Sequence, residues 1–188
     1  MDVSEGIAGA VWIGAITLVF VTEALNQTTE WWGYINSAYY IGAIFGGGIA
    51  IAFSKYITKN LLVNMAVGTM SYGILCIIYG LNSFPIIAIL LVLCMGPVYQ
   101  IRDISQQTIL QNSAPPSDLS KIYAAHTVLL STATGLSVLL VGIVADVFGI
   151  RWVYILGGVL VIIVSGISLT ILKRKGTHDS KRGFSHSR

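Results

Sequence analysis

Two titratable side chains lie within or beside the apolar stretches of this sequence, where they could bind a proton. Glu23 is the only acidic residue inside such a stretch. A carboxylate held away from water is a candidate for proton coupling when it faces a cavity. Because Asn26, Gln27 and Glu30 follow closely, Glu23 is also placed to lie among lipid headgroups. His126 has a side chain suited to proton relay, although a single histidine near a span end more often serves at a helix interface.

Asn36, Tyr39 and Tyr40 form a polar and aromatic face on the second apolar stretch, because residues three and four apart lie on the same side of a helix. Amide and phenol groups on such a face suit the wall of a polar cavity. The alternative is that both tyrosines belong to the interfacial aromatic belt with Trp31 and Trp32, which lie only about 10 Å away along the helix. The sequence leaves both interpretations open.

Polar side chains also interrupt the fourth and fifth apolar stretches. Pro97 predicts a bend in the fourth, because proline removes a backbone donor, and Tyr99 and Gln100 follow that bend. Thr127 and Ser131, four residues apart, share a face of the fifth. Hydroxyl groups in a membrane helix either hydrogen-bond to a neighbouring helix or line a cavity, and helix packing is the favoured role here.

The sequence contains no arrangement of residues that indicates an enzyme. Residues 68–73, Gly-Thr-Met-Ser-Tyr-Gly, differ from the Gly-x-Ser-Gly of an intramembrane serine protease, and His126 lies on the wrong span for that pairing. The phosphate-binding Gly-x-x-x-x-Gly-Lys loop is absent. Cys76 and Cys94 lie in apolar runs without metal-binding spacing. We therefore expect no catalytic activity, no cofactor and no metal.

The composition shows what surrounds these side chains. Hydrophobic residues make up 55% of the 188 residues, charged residues make up 10%, and the mean hydropathy is +0.79. A soluble domain has about a quarter of its residues charged, so an ordinary cytosolic enzyme and a disordered chain are excluded. The net charge of +3 does not indicate a nucleic-acid partner, because six of the eleven basic residues lie in the C-terminal tail. We expect an integral membrane protein.

Six windows are long and apolar enough to cross a bilayer, since about 20 helical residues span its ~30 Å core. They cover residues 7–25, 34–53, 61–80, 85–101, 123–145 and 152–172. None alternates apolar and polar residues as barrel strands do, so we expect an all-α membrane protein with a six-span bundle over residues 1–172. The first window lacks the basic start of a signal peptide, which indicates a retained span. Residues 173–188 form a basic tail that we expect to be disordered.

Lysine and arginine residues predict the orientation of the spans. Ten of them fall on one side of the membrane, in the second-to-third loop, the fourth-to-fifth loop and the tail. Only Arg151 falls on the other side. Both termini are therefore expected to lie in the cytoplasm.

The second span also carries a ladder of small residues that recurs at every fourth position: Ala38, Gly42, Gly46 and Ala50. Such a ladder lies on one helix face and lets another helix backbone approach closely. Asn36 is about 200° around the helix from Ala38, at 100° per residue. The polar face is therefore expected to lie opposite the packing face.

Three stretches of the chain resemble those of a known family. The first is residues 32–59, which contain several glycines and a basic loop; this loop lacks the acidic residue of the family's loop motif. The second is residues 106–121, which contain a glutamine run, a proline pair and Lys121. The third is residues 142–151. The third is similar to a Gly-x-x-Ala-Asp-x-x-Gly-x-Arg turn, whose positions here are Gly142, Asp146, Gly149 and Arg151. We expect Asp146 to cap a helix or pair with Arg151 near the water boundary.

Over residues 7–172 the chain resembles the C-terminal six-helix half of a major facilitator superfamily (MFS) transporter, most similar to bacterial drug- and macrolide-efflux permeases. The resemblance implies one lobe built from two inverted three-helix units, here 7–80 and 85–172, with the substrate path between two lobes. The first, second, fourth and fifth spans of a lobe face the cavity. The implied lining residues are Thr22, Glu23, Asn36, Tyr40, Tyr99, Gln100 and Ser131.

The implied activity is transport of a small molecule, as efflux of an amphipathic or hydrophobic compound coupled to protons through Glu23, in a bacterial inner membrane. Alternating access needs two lobes, so the expected partners are lipid, a small-molecule substrate and either a second six-helix half or another copy of the chain, with no nucleic acid. The alternatives are a truncated or inactive remnant of a transporter and a membrane assembly partner that does not transport.

The predicted orientation can be tested by labelling single cysteines in cells. In a variant whose Cys76 and Cys94 are replaced by serine, Lys55→Cys and Arg174→Cys should react with a membrane-impermeant maleimide only after the cytoplasmic side is opened. Thr28→Cys, in the first external loop, should react in intact cells and serves as the control. Labelling of the cysteines at positions 55 and 174 from opposite sides of the membrane would contradict the six-span arrangement.

Overall fold

The computed structural model describes residues 11–12, 14–113, 115 and 117–183, and side chains in this set as far as residue 171. The described chain is helical and contains no strand, and this confirms the predicted all-α membrane fold. Its main helices are α1 (Gly14–Val19), α2 (Glu30–Ala52), α3 (Leu61–Leu81), α4 (Pro85–Asn112), α5 (Leu119–Phe148) and α6 (Ile150–Gly183). A π-helical turn, Phe20–Ala24, continues α1, and two short turns, Ser54–Ile57 and Thr58–Asn60, join α2 to α3.

Five helical stretches in the described residues are long and apolar enough to cross a membrane. They are Glu30–Ala52, Ser54–Leu81, Pro85–Asn112, Leu119–Phe148 and Ile150–Ile171, and they correspond in position to predicted spans two to six. Of predicted span one, residues 7–10 and 13 lie outside the described residues. Its described part, Gly14–Ala24, is a shorter apolar helix.

The helices α4, α5 and α6 extend beyond the apolar windows. Residues 102–112 continue α4 where the sequence predicts a loop, and the backbone of α6 is helical as far as Gly183, where the sequence predicts disorder from 173 onward. Once a helix exists, each further residue adds a hydrogen bond without a new nucleation cost. Arginine, glutamine and lysine also have good helix propensity. Hydropathy marks the end of the apolar segment and not the end of the helix.

The helices pack in pairs. The helix α2 lies along α4, α3 lies along α6, and α3 also packs against α4. The helix α5 contacts mainly α6. Only 11% of the most apolar window of α5 is buried, compared with 28% in each of the other four spans. The bundle therefore has a firmly packed part, α2, α3, α4 and α6, and one helix with a largely exposed surface.

The contact between α2 and α4 is a backbone-to-backbone approach, named here the α2–α4 seam. The four small residues of the α2 ladder are buried: Ala38, Gly42, Gly46 and Ala50. A Cβ atom on Gly42 would overlap the carbonyl oxygen of Leu93, and one on Gly46 would overlap the Cα of Pro97. From the other side, a Cβ on Gly96 would overlap the backbone of Gly42. Only glycine at these positions permits this separation.

The helices α3 and α6 meet through a second close approach that the sequence analysis did not identify. A Cβ on Gly158 would lie 2.7 Å from the carbonyl oxygen of Gly73, and a Cβ on Gly73 would lie 2.9 Å from that of Gly158. Further along, the Ser165 hydroxyl donates a hydrogen bond of 2.6 Å to the carbonyl oxygen of Ala66. Ala66 and Gly73 are seven residues apart, a spacing that places both on one helix face.

An aromatic cluster fixes the described part of the first span to α3 and α6. The ring of Phe20 stacks on Tyr79 with centroids 4.6 Å apart and meets the edge of Tyr154 at 4.8 Å. Trp12 lies 5.1 Å from Tyr79 between ring centroids. Such pairs contribute about 0.5–1.5 kcal/mol beyond the area that they bury, so the cluster holds α1 even though its described part is short.

Replacing Gly42 by leucine should destabilise the bundle, because the new side chain meets the α4 backbone in the α2–α4 seam. We expect a loss of about 1–3 kcal/mol, the usual cost of overpacking, seen as a lower midpoint of thermal unfolding in detergent. Gly47→Leu is the matched control, since a Cβ there meets nothing within 4 Å and both variants gain the same helix propensity. Equal midpoints for the two variants would show that the seam is not this close.

Candidate functional site

A polar groove of about 390 Å³ runs between α4 and α5, at the end of the bundle where α4 ends and α5 begins. Its α4 wall consists of Tyr99, Arg102, Asp103, Gln106, Gln107 and Leu110, and its α5 wall consists of Tyr123, His126, Leu130 and Thr134. Residues on each wall recur three or four positions apart, which puts them on one face of each helix. The groove exists because two such faces meet.

The α4 wall of the polar groove contains charged and polar groups that are removed from solvent. Arg102 is 3% exposed and Gln106 is 6% exposed. The guanidinium carbon of Arg102 lies 5.7 Å from the centroid of the Tyr99 ring, within the range of a cation–π interaction. The Gln107 amide donates a hydrogen bond of 2.8 Å to the Asp103 carboxylate. The wall thus presents one positive and one negative charge next to amide groups.

One hydrogen bond crosses the polar groove between Gln106 on α4 and His126 on α5. The amide nitrogen of Gln106 lies 3.2 Å from Nε2 of His126. Which of the two groups donates depends on the tautomer of the imidazole and on the orientation of the amide. The side chains of the two helices are therefore joined at a titratable group.

Three tyrosines on three helices lie next to the polar groove. The Tyr99 ring centroid is 5.7 Å from that of Tyr72 on α3 and 6.5 Å from that of Tyr39 on α2. All three side chains are partly buried. Together they give the groove an aromatic side that continues into the bundle.

Of the predicted lining residues on α4 and α5, Tyr99 lines the polar groove and two others do not. The Cβ of Gln100 lies on the α2 side, 3.1 Å from the position that a Cβ on Gly46 would occupy. Ser131 is exposed and lies between Leu130 and Thr134, which do line the groove.

The predicted lining residues of the first two spans lie apart from the polar groove. The Asn36 amide donates to the carbonyl oxygen of Trp32 at 2.8 Å, one turn earlier on its own helix. The Thr22 hydroxyl likewise donates within its helix, to Leu18 at 3.1 Å. The side chain of Tyr40 is 64% exposed.

Glu23 lies at the opposite end of the bundle from His126. It is exposed, it belongs to the π-helical turn after α1, and it lines a groove of about 280 Å³ together with Ala24, Arg151 and Trp152. A π-helical turn inside a helix is rare and frequently occurs at functional sites. The structure therefore separates the two titratable groups of the sequence analysis to the two ends of the molecule.

Arg151 ties three segments together at that end, an arrangement named here the Arg151 clamp. One guanidinium nitrogen donates to the carbonyl oxygens of Gly80 at 3.0 Å and Asn82 at 2.7 Å. The other donates to the carbonyl oxygen of Ala24 at 2.8 Å and to the Ser83 hydroxyl at 3.0 Å. Carbonyl groups at helix C-termini lack intrahelical donors and favour a positive charge, so the clamp satisfies the ends of the π-helical turn and of α3 together.

The other motif residues of the turn between α5 and α6 have different roles from the clamp. Within the described residues Asp146 is exposed and makes no ion pair with Arg151, whose guanidinium donates to three backbone carbonyl oxygens and to the Ser83 hydroxyl. Gly149 has a φ of +90°, a backbone conformation that residues with a Cβ atom rarely adopt. Its N–H donates to the carbonyl oxygen of Ala145. A Cβ on Gly142 would meet nothing within 4 Å. The motif therefore forms the tight turn between α5 and α6 and places Arg151 at the start of α6, where it contacts Gly80 and Ala24.

Comparison with known proteins decides the family. The model of the Major Facilitator Superfamily matches residues 5–187 of this 188-residue chain. The chain belongs to the major facilitator superfamily. The resemblance found in the sequence is thereby confirmed, and the family points to a transporter rather than an enzyme. Like its family, the chain is an integral multi-pass membrane protein.

Two curated relatives in this superfamily are similar to the chain over most of its length. The uncharacterized MFS-type transporter YfmI of Bacillus subtilis is 38% identical over 177 residues, which is 93% of this chain and 44% of the relative. The uncharacterized MFS-type transporter YjbB of the same organism is 36% identical over 169 residues, 90% of this chain and 42% of the relative. The chain thus spans less than half the length of these relatives. No solved structure matches it.

Much of the polar groove of this MFS chain could not be predicted from the apolar windows. Arg102 and Gln106 lie beyond the end of the fourth window, at residue 101, and Tyr123 is the first residue of the fifth. The available signal was the three-to-four spacing of polar residues, which continues from Tyr99 to Leu110 once α4 is allowed to run past residue 101. Among the described residues, no three His, Cys, Asp or Glu side chains come together in a way that could hold a metal ion.

The Arg151 clamp predicts that Arg151→Met weakens the bundle more than Arg151→Lys, because lysine keeps the charge but cannot reach three segments at once. A loss of about 1–3 kcal/mol is expected for methionine, since hydrogen bonds from a charged donor contribute that much. Thermal unfolding in detergent measures it. Lys121→Met is the control, because its ion pair with Asp118 is at the surface and contributes little. Identical midpoints for Arg151→Met and Lys121→Met would contradict the clamp.

Proposed function

We propose that this chain forms one lobe of an MFS secondary transporter and moves a small molecule across a bacterial inner membrane. The observation that carries the proposal is the polar groove, where buried Arg102 and Gln106 face His126 inside an otherwise apolar bundle. Charged and polar groups that are buried between membrane-spanning helices usually face the bundle interior or a water-filled cavity, and they mark the path of a solute. The proposal places that path along the groove.

A second lobe completes the path in this proposal. Alternating access operates by rocking two lobes around a site between them, and the curated relatives are more than twice as long as this chain. The largely exposed surface of α5 and the open side of the polar groove supply one wall. The opposite wall comes from a second six-helix half or from another copy of the chain.

The lining of the polar groove favours an amphipathic substrate. Tyr99 and Tyr123 offer aromatic faces, Leu110 and Leu130 offer apolar contacts, and the glutamine amides offer hydrogen bonds. A compound with an apolar body and a few polar groups matches that combination, because pockets of this kind bind through apolar area and fix orientation through a small number of polar contacts. Efflux is the proposed direction.

Proton coupling is proposed to use Glu23 at the extracellular end. Its carboxylate is exposed in the π-helical turn next to the Arg151 clamp, in a groove open to the surface. In the proposed orientation, with both termini in the cytoplasm, that end takes up protons from outside. The polar groove then opens towards the cytoplasm, where an exported compound enters.

The proposal predicts substrate flux that depends on the polar groove and on a pH gradient. The chain is reconstituted in proteoliposomes alone and with a second MFS lobe, and transport of a fluorescent amphipathic amine is followed. Tyr99→Ala should lower flux at least tenfold through the loss of an aromatic wall, and Glu23→Gln should remove its dependence on the gradient. Tyr56→Ala is the matched control, because Tyr56 lies outside the groove and is 73% exposed.

An inactive remnant or an assembly partner is the alternative that the same experiment tests. Absence of substrate flux in every lobe pairing would support this alternative. Equal flux in Tyr99→Ala and Tyr56→Ala would contradict the assignment of the path to the polar groove.

A further inference from the structure

A further groove, named here the α3–α4 groove, has a volume of about 520 Å³ and lies where α3 begins and α4 ends. The first turn of α3 and Ile109 of α4 give it an apolar part, and Lys59, Asn60, Asn112 and Ser113 give it a polar part. The polar residues precede α3 and follow Ile109. Because the two packed helices run in opposite directions, all four polar residues lie towards the same end of the bundle. The lining therefore changes from apolar to polar in the order in which a membrane meets water.

The charge of the α3–α4 groove is positive. Lys59 is the only charged residue among its described lining residues. Its side chain is exposed and makes no ion pair with another described residue. Lys55, which is also exposed, lies four residues earlier in the short turn that leads to the groove. The groove thus presents a positive charge that no carboxylate of the described chain balances.

Two amide groups next to Lys59 are available as hydrogen-bond donors. The side chains of Asn60 and Asn112 line the α3–α4 groove, and neither donates to a described residue. Each amide nitrogen carries two N–H groups. An ammonium group between amide donors matches an anion with several acceptor oxygens, such as a phosphodiester.

The carbonyl end of α4 is the feature of the groove that opposes an anion, because a helix C-terminus carries partial negative charge. Ser113 reduces this effect. Its hydroxyl donates to the carbonyl oxygen of Ile109 at 2.6 Å, and its N–H donates to that of Leu110 at 3.2 Å. Two of the last carbonyl groups of α4 are therefore already paired within the helix.

An apolar stripe on α3 leads away from the groove across the membrane. Its residues are exposed and recur three or four positions apart, so they share one helix face: Val63, Val67, Met70, Ile74 and Ile78. The stripe is about 22 Å long at 1.5 Å per residue. Since the chain is an integral membrane protein, lipid acyl chains are the solvent for such a face. A polar group bound in the groove and a hydrocarbon chain on the stripe would belong to one molecule.

We propose that the α3–α4 groove binds an anionic phospholipid, with the phosphate at Lys59, the amides of Asn60 and Asn112 donating to its oxygens and an acyl chain along the α3 stripe. Basic pockets between membrane helices bind lipid headgroups in this way. Such a lipid joins the start of α3 to the end of α4. Ile109 lines the α3–α4 groove and the next residue, Leu110, lines the polar groove, so the lipid steadies one wall of the polar groove. The site does not depend on transport by the chain.

The proposal is tested by the reactivity of Lys59 towards an acetylating reagent in the full, unsubstituted chain. The protein is placed in nanodiscs of phosphatidylcholine alone or of an equal mixture with phosphatidylglycerol, and acetylation of each lysine is followed by peptide mass spectrometry. Lys59 should react at least threefold more slowly in the mixture. Lys121 is the internal control, because its exposed side chain pairs with Asp118 outside the groove, and its rate should change little.

Substitutions test the same site by a second measurement, in which native mass spectrometry counts phosphatidylglycerol molecules retained by the protein in detergent. Lys59→Gln should lower the retained fraction at least threefold, and Asn112→Ala should lower it to a smaller extent. Lys59→Arg should preserve it, because the charge remains. Lys121→Gln removes the same charge outside the groove and should bind as the unsubstituted chain does.

Equal slowing of Lys59 and Lys121 in the mixed nanodiscs would overturn the proposal, since it means that only the surface charge of the lipid acts. Equal retention by Lys59→Gln and Lys121→Gln would also overturn it. Excess glycerol phosphate is added to phosphatidylcholine nanodiscs to distinguish a soluble phosphate from a lipid, and protection of Lys59 as strong as that by phosphatidylglycerol would contradict a lipid site. Size-exclusion chromatography identifies any variant that fails to fold, and the acetylation measurement needs no variant.

Discussion

The α2–α4 seam is the constraint on which the rest of the lobe depends. Between membrane helices there is little hydrophobic driving force, so association relies on close packing and hydrogen bonds. Gly42, Gly46 and Gly96 remove the side chains that would separate the two backbones. This fixes the rotation of α4 about its axis. The groove-lining residues of α4 lie away from the seam face, so the seam turns Gln106 towards α5, whereas the Cβ of Arg102 lies 2.8 Å from the position that a Cβ on Gly68 of α3 would occupy.

The fold and the family could be predicted from the sequence because they depend on long-range averages. The length and composition of the apolar windows leave few alternatives to membrane helices, and the α2 ladder is visible as a spacing of four in residues 38–50. The helix ends were harder to predict. A hydropathy window stops at Arg102, whereas the helix continues to Asn112 and carries most of the α4 wall of the groove with it.

The candidate site was less predictable, because its partners are distant in sequence or belong to the backbone. Gln106 and His126 are 20 residues apart and meet only through the packing of α4 and α5. Arg151 has an acid, Asp146, five residues before it, and local sequence favours that pair. The structure instead directs its guanidinium to main-chain carbonyl oxygens, which every residue type possesses and which therefore leave no trace in a sequence pattern.

The Arg151 clamp also imposes an order on biosynthesis. The hydrogen bond from Arg151 to Ala24 connects residues that are 127 positions apart, and the ribosome makes the first span long before it makes the last. The carbonyl groups of Ala24, at the end of the π-helical turn, and of Gly80, near the end of α3, therefore lack the Arg151 donor until α6 is inserted. Insertion of α6 closes the π-helical turn onto α3, so this lobe reaches its final arrangement only once α6 is in place and not helix by helix.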